Sequence, residues 1–266
     1  MRITEIEPQP FYELPYLNAS KRGGSETARL GFFRGRATGL PAGCAAVLCA
    51  SDLQGRVAAN NGELILLGEA LADQLEVLAS SGLVPAPELI GVVLAGDLYT
   101  VPAADKRGGT GDVRSVWECM AMVSRWVVGV AGNHDDFGSD RQRRKLTQVD
   151  GVVILDGEVR ELDGVTFGGV GYVVGNPRKA GKRRAETQLE LLEDVVGASP
   201  DVLIVHEGPH VGRRQSGSAD LADALDGGGG PPLLVCGHNP WTPFVASVGD
   251  TEVLNVHERV VVLEPA

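Results

Sequence analysis

The sequence predicts an α/β protein built on a mixed sheet, and three observations carry that prediction. Five apolar runs read as buried strands, and each finishes in a polar residue: Asp52, Asp97, Asn133 with His134, His206 and His238. Segments of helical periodicity lie between the early runs, and strand–helix–strand order implies right-handed crossovers and parallel pairing. From Gly151 onward, short strands alternate with Asp-Gly turns, a pattern of antiparallel hairpins that marks a more antiparallel second half.

Taken in order, residues 1–41 form an N-terminal extension packed on the core along the sheet edge. ARLGFFRGRA supplies a strand there, while Pro8, Pro10, Pro15 and KRGGSE interrupt the rest. The remaining residues, 42–266, read as a single domain opening with the strand that ends at Asp52. Asn60 or Asn61 caps a helix through ELILLGEALADQLEVLASSGL, whose Leu and Ala residues recur at helical spacing. The GVVLAGDL strand follows, then a Gly-rich loop (LYTVPAADKRGGTGD) that is either a rim loop or a plain connection. DVRSVWECMAMVSRW is a helix leading into VVGVAGNHDDFG. Beyond it come a short basic helix or turn, the hairpin strands, a basic loop opening the TQLELLEDVVGA helix, and the strands that carry His206 and His238.

Composition narrows the function classes. With 43% hydrophobic and 22% charged residues, 266 residues suit one well-cored domain. No segment is apolar for long enough to span a bilayer, and MRITEIEPQP lacks a signal pattern, so the expectation is a cytoplasmic protein with no membrane partner. A net charge of −11 argues against broad attraction to nucleic acid. Aromatic residues are only 5% of the chain, which gives no stacking platform for single strands. The four cysteines lack C-x-x-C spacing and read as buried thiols.

Ligands gather at the carboxyl ends of strands in open α/β sheets, so the five strand-end groups are expected to converge. Carboxylates mixed with imidazoles suit a divalent ion such as Mn, Fe or Zn. The ordered set SD-x-x-G, GD, GNHD, H-x-G-P and GH, from about Cys44 to Leu263, resembles the calcineurin-like metallophosphoesterases. That resemblance implies a four-layer α/β/β/α sandwich with mixed sheets and a hydrolase acting on phosphate esters, a phosphatase or phosphodiesterase. It implies one metal site at Asp97, Asn133, His206 and His238, and a second that uses Asp52 and shares Asp97. In the family the second site also takes two histidines, but this chain has Gln54 and Pro240 at those positions. Gln54 and His257 are the candidate atypical ligands, and one or two ions are both compatible with the sequence. His134 is expected to assist at the phosphoryl or leaving group, with Asn133 also meeting the substrate phosphate. Asp135 is expected to orient His134, and Asp52 to serve as ligand or base.

The implied partner is a small phosphate ester, nucleotide-like esters included. The basic clusters Arg141–Lys145, Arg178–Arg184 and Arg213-Arg214 form either a positive rim for it or solvated loop charge. Oligomeric state is not legible. The alternative function, suggested by Gln54 and Pro240, is a degenerate family member that binds metal or phosphate without turnover and acts in regulation or scaffolding.

Overall fold

The computed structural model describes residues 1–266. Alternation of apolar residues along the strands decides the layering. In Ala46–Ser51 every residue is buried, as expected of a strand covered on both faces. Val47 and Cys49 join one core cluster, Leu48 and Ala50 another.

A ten-stranded sheet runs Val152–Ile154, Trp126–Gly129, Ile90–Leu94, Ala46–Ser51, Arg259–Pro265, Ser25–Thr38, Tyr12–Ala19, Arg56–Ala58, Leu64–Leu66, with Arg2–Ile6 also paired to Ser25–Thr38. The first four are mutually parallel. A six-stranded sheet runs Glu158–Leu162, Val165–Val170, Val202–Glu207, Leu233–Gly237, Thr251–Asn255, Val245–Val248. Val47, Val93, Val128 and Val261 of the large sheet share a core with Phe167, Ile204, Val235 and Leu254 of the smaller one. On its other face the large sheet packs Leu48, Val92 and Val127 with Leu71 and Leu75 of helix Leu67–Ser80 and with Trp117 of helix Arg114–Val123. Leu203, Leu234 and Val253 likewise pack with Leu192 and Leu221, from helices Ala185–Gly197 and Ala219–Asp226. Both sheets are mixed and the class is α/β. No helix is long and apolar enough to cross a membrane.

Three expectations change. The second half is not a hairpin meander: the four interior strands of its sheet are parallel, and antiparallel pairs occur only at the two edges. Helices Ala185–Gly197 and Ala219–Asp226 make the first two of its parallel crossovers, and the third passes through the edge strand Val245–Val248. The long helix predicted from Asn60 or Asn61 begins only at Leu67, because Leu64–Leu66 pairs as a strand with Arg56–Ala58. Glu69 then accepts the Leu66 N–H at 2.7 Å, supplying the start signal that neither asparagine gives. The N-terminal residues enter the large sheet itself. Ser25–Thr38 lies parallel to Arg259–Pro265, so the two ends of the chain meet in one hydrogen-bonded ladder.

Asp163 staples the two sheets. In the turn after Glu158–Leu162, its carboxylate accepts hydrogen bonds from Arg125 Nε at 2.6 Å and from Trp126 Nε1 at 2.8 Å, at the start of a large-sheet strand. The Arg125 hydrogen bond, helped by the one from Trp126, holds this carboxyl below its ordinary pKa. A depressed folded-state pKa stabilises above the unfolded-state value and is lost as pH falls through the folded one. Asp163→Asn is therefore expected to lower the melting temperature at neutral pH. In thermal unfolding the gap to wild type should close as pH falls through the carboxylate range.

Candidate metal centre

The site forms where the strands stop. Asp52, Asp97 and His238 each adopt a left-handed backbone, with φ of 54°, 57° and 64°, a conformation that costs non-glycine residues energy and clusters at functional sites. Two glycines beside the motif residues have a steric role. A Cβ on Gly132 would collide with the Asp97 backbone and carboxylate, and one on Gly237 with the side chains of Ser51 and Asp52. Only bare backbone lets these loops approach so closely.

Asp97, His206 and His238 place one ligand atom each within 4.8 Å of one another. His206 is fully buried, and its Nδ1 lies 2.7 Å from the Ala95 carbonyl. A carbonyl only accepts, so Nδ1 carries a proton, and Nε2 faces Asp97, whose Oδ2 is 3.3 Å away. Burial opposes a charge on His206, but the Asp97 carboxylate outweighs it and raises the imidazole to about 10, so a proton stands on Nε2 where a cation would displace it. Neither His206 Nε2 nor Asn133 Oδ1 has a hydrogen-bond partner, although both are buried. Buried polar atoms are nearly always satisfied, so an unpartnered His206 Nε2 fits a cation held by Asp97, His206 and His238; Asn133, the neighbour of His134 in sequence, leaves a second buried oxygen unpartnered. Electrostatics agree. Burial, followed by the nearby His206, lowers His238 to about 4, leaving it neutral and able to ligate. Burial and the adjacent Asp97 charge push Asp135 up to about 7, a repulsion that a cation would relieve.

Asp52 is engaged on both oxygens. Oδ2 accepts from Ser51 Oγ at 2.7 Å and from the His238 N–H at 2.9 Å. Oδ1 lies 3.0 Å from His257 Nδ1, in an arrangement not aligned as a hydrogen bond. Burial opposes ionisation of Asp52, but His257 and Ser51 outweigh it and hold the carboxyl at about 2. His257 is thus brought into the centre, beside Asp52. Gln54 also reaches it, its Nε2 3.4 Å from Asp97 Oδ2, while Pro240 lines the cleft without a donor atom.

His134 opens onto the cleft. Its backbone N–H donates to Asp97 Oδ1 at 2.8 Å, and its Nε2 lies 4.0 Å from Asp97 Oδ2. Asp135 does not orient it, contrary to expectation. The Asp135 carboxylate accepts the backbone N–H groups of Gly132, Asp97 and Leu98 at 2.8, 2.9 and 2.7 Å, and is turned into the protein. With both of its oxygens taken by backbone N–H groups, the Asp135 carboxylate has no acceptor left aimed at the imidazole.

The three basic clusters do not line the cleft either. Arg183 pairs with Asp156 and lies over Tyr172, Arg143 sits by Phe137, and Arg213-Arg214 occupies a separate turn. The cleft, about 650 Å³, instead takes Lys21 and Arg29 from the N-terminal hairpin and Arg107 from the Gly-rich loop. Sequence reasoning missed these residues and Ser51, since nothing local links the N-terminal hairpin to a strand end farther along the chain.

The fold and site define an α/β protein with a candidate cation centre at its strand ends. Among solved structures, TT1561 of Thermus thermophilus superposes with a TM-score of 0.54 at 15% identity, over 79% of this chain and 88% of that one. At that identity the likeness is one of fold alone. A hypothetical protein from the same organism (TM-score 0.43, 16% identity, 79% and 75% covered) and NAD nucleotidase of Haemophilus influenzae (0.39, 14%, 73% and 42%) superpose too loosely to bear on function. No protein-family model and no curated protein matches the sequence.

Asp135→Asn would turn an amide toward three N–H donors. We expect it to cost about 2–3 kcal/mol of stability, whereas His134→Ala leaves the melting temperature nearly unchanged. Chemical denaturation of both variants measures the difference.

Proposed function

We propose that the chain is a metal-dependent phosphoesterase, with residues 42–266 as its catalytic unit in a four-layer α/β/β/α sandwich. What supports the reading most is the cluster of Asp97, His206 and His238, with His206 Nε2 buried and unpartnered within it. All four cysteines are free thiols, which favours a reducing, cytoplasmic setting.

Asp97, Asn133, His206 and His238 would hold the first ion. When bound, a divalent ion supplies Lewis-acid polarisation of the phosphoryl group and lowers the pKa of an attacking water. The protein's own groups then divide the remaining work. His134, at the mouth of the centre, is placed to hydrogen-bond a phosphoryl oxygen and to give a proton to the departing ester oxygen as the P–O bond breaks. Asn133, beside it, steadies the same phosphate. Asp52, ionised and fixed by Ser51 and the His238 N–H, orients the water or accepts its proton. A second ion falls to Asp52 and His257, since Pro240 offers nothing and Gln54 offers an amide in place of an imidazole. His257 Nδ1 lies 3.0 Å from Asp52 Oδ1, close enough for both donors to reach one ion.

The test combines elemental analysis of Mn²⁺-loaded protein with turnover of p-nitrophenyl phosphate. Wild type is expected to hold ions and hydrolyse the ester, with EDTA abolishing turnover and Mn²⁺ restoring it. Asp97→Asn should lose both ion and turnover. His134→Ala should keep its ions and lose about 10²–10⁴ in rate, and His257→Ala should lower an occupancy of two ions to one. Ion binding with no turnover would instead mean a binding protein on this fold, and turnover indifferent to His134→Ala would remove His134 from the chemistry.

A further inference from the structure

The metal-centre residues share their cleft with a wall that the five strand-end motifs do not include. Tyr16, Asn18, Lys21, Glu26 and Arg29 come from the hairpin of Tyr12–Ala19 and Ser25–Thr38, and they line the same 650 Å³ space as Asp52, Asp97, His134 and His257. Strand pairing puts them there. Ser25–Thr38 runs beside Arg259–Pro265, with Gly31 opposite Arg259, so the hairpin is carried past His257 and Glu258. Across a narrow crevice, Asn18 and Ala19 face Arg107 and Gly108 of the Gly-rich loop.

Arg107 can be placed relative to the chemistry. A Cβ on Gly108 would lie 3.6 Å from His134 Cε1, so the residue before it stands on the His134 side of the centre, where the leaving group departs. Neither Arg107 nor Lys21 makes an ion pair, whereas Arg29 is taken by Glu13 at 3.2 Å. In a chain of net charge −11, two unneutralised cations facing one anion-handling cleft are a specific feature.

We propose that Lys21 and Arg107 form a distal anion subsite, selecting phosphate esters whose leaving group carries a second phosphate. This deepens the phosphoesterase reading and rests on it for the identity of the scissile group. Glu26 and Glu258 line the same cleft and limit the subsite to one further anion. With two cations and a bounded volume, it fits a diphosphate-sized compound and excludes a nucleic-acid strand, which needs a run of basic contacts.

Calorimetry on the Mn²⁺-loaded full chain tests this with two probes whose C–P bonds resist hydrolysis, phenylphosphonate with one anionic group and methylenediphosphonate with two. Wild type is expected to bind the diphosphonate at least about tenfold more tightly, as one added charge-assisted contact gives. The Lys21→Ala, Arg107→Ala double variant should lose about tenfold or more for the diphosphonate and stay within about twofold for phenylphosphonate. Both residues are exposed, and an unchanged melting temperature verifies folding. Arg144→Ala, an exposed cation outside the cleft, should alter neither affinity. Equal affinity of wild type for the two probes, equal losses for both in the double variant, or an equal loss in Arg144→Ala would overturn the subsite. Turnover of p-nitrophenyl phosphate is read separately, so a failed phosphoesterase assay leaves this binding preference to be judged by itself.

Discussion

The site depends first on a carboxylate that is turned away from solvent. Asp135 accepts hydrogen bonds from the backbone N–H groups of Gly132, Asp97 and Leu98, and so ties the loop after Ile90–Leu94 to the loop after Trp126–Gly129. Burying a charge is expensive unless it is hydrogen-bonded, and the three N–H donors offset part of that cost, burial and Asp97 still raising the Asp135 carboxyl. Once the two loops are locked, Asp97 has little freedom left. Its Oδ1 takes the His134 N–H and its Oδ2 faces His206. Gly132 belongs to the same constraint, since any side chain there would displace Asp97.

Around that tie the protein concentrates groups that disfavour one another. Asp52, Asp97 and Asp135 are buried close together, the backbone is left-handed at three site residues, and His206 Nε2 has no hydrogen-bond partner. Each feature costs stability by itself, and together they describe a centre organised for a cation instead of for the folded chain alone. The extensive apolar packing beneath the strands offsets that cost. Val47, Val93, Val128 and Val235 are buried to 1% exposure or less within the core that joins the sheets, and each contributes roughly 1.5–3 kcal/mol.

The two positions where the resembled family carries histidines, Gln54 and Pro240, look different in three dimensions. Gln54 stays within reach of Asp97, Pro240 only lines the cleft, and an imidazole from a distant stretch, His257, stands against Asp52. It arrives there because the loop preceding Arg259–Pro265 bridges to Ser51 and because Asn255 Oδ1 accepts the His257 N–H. The same C-terminal strand pairs with the N-terminal hairpin, so one ladder delivers both His257 and the cleft's outer wall.

The sequence by itself determined the parallel strands of the first half and the polar residues at their ends. Burial and strand length are local properties, and a strand that stops at Asp97 or His206 delivers that residue to the sheet's rim whatever the rest does. Local pattern could not show which neighbours those residues meet. Asp135 read as a partner for His134 because it follows it in sequence, yet its carboxylate is taken by three backbone N–H groups. The basic clusters read as either a rim or solvated loop charge because local pattern cannot tell the two apart; in the structure Arg183 is engaged by Asp156, while Lys21 and Arg107 face the cleft. Parallel pairing in the second sheet was likewise hidden, since Asp-Gly turns report a local reversal and not which strand lies alongside. Only tertiary structure decides such matters, because they depend on contacts between segments as far apart as Gly31 and Arg259, whose pairing no local periodicity encodes.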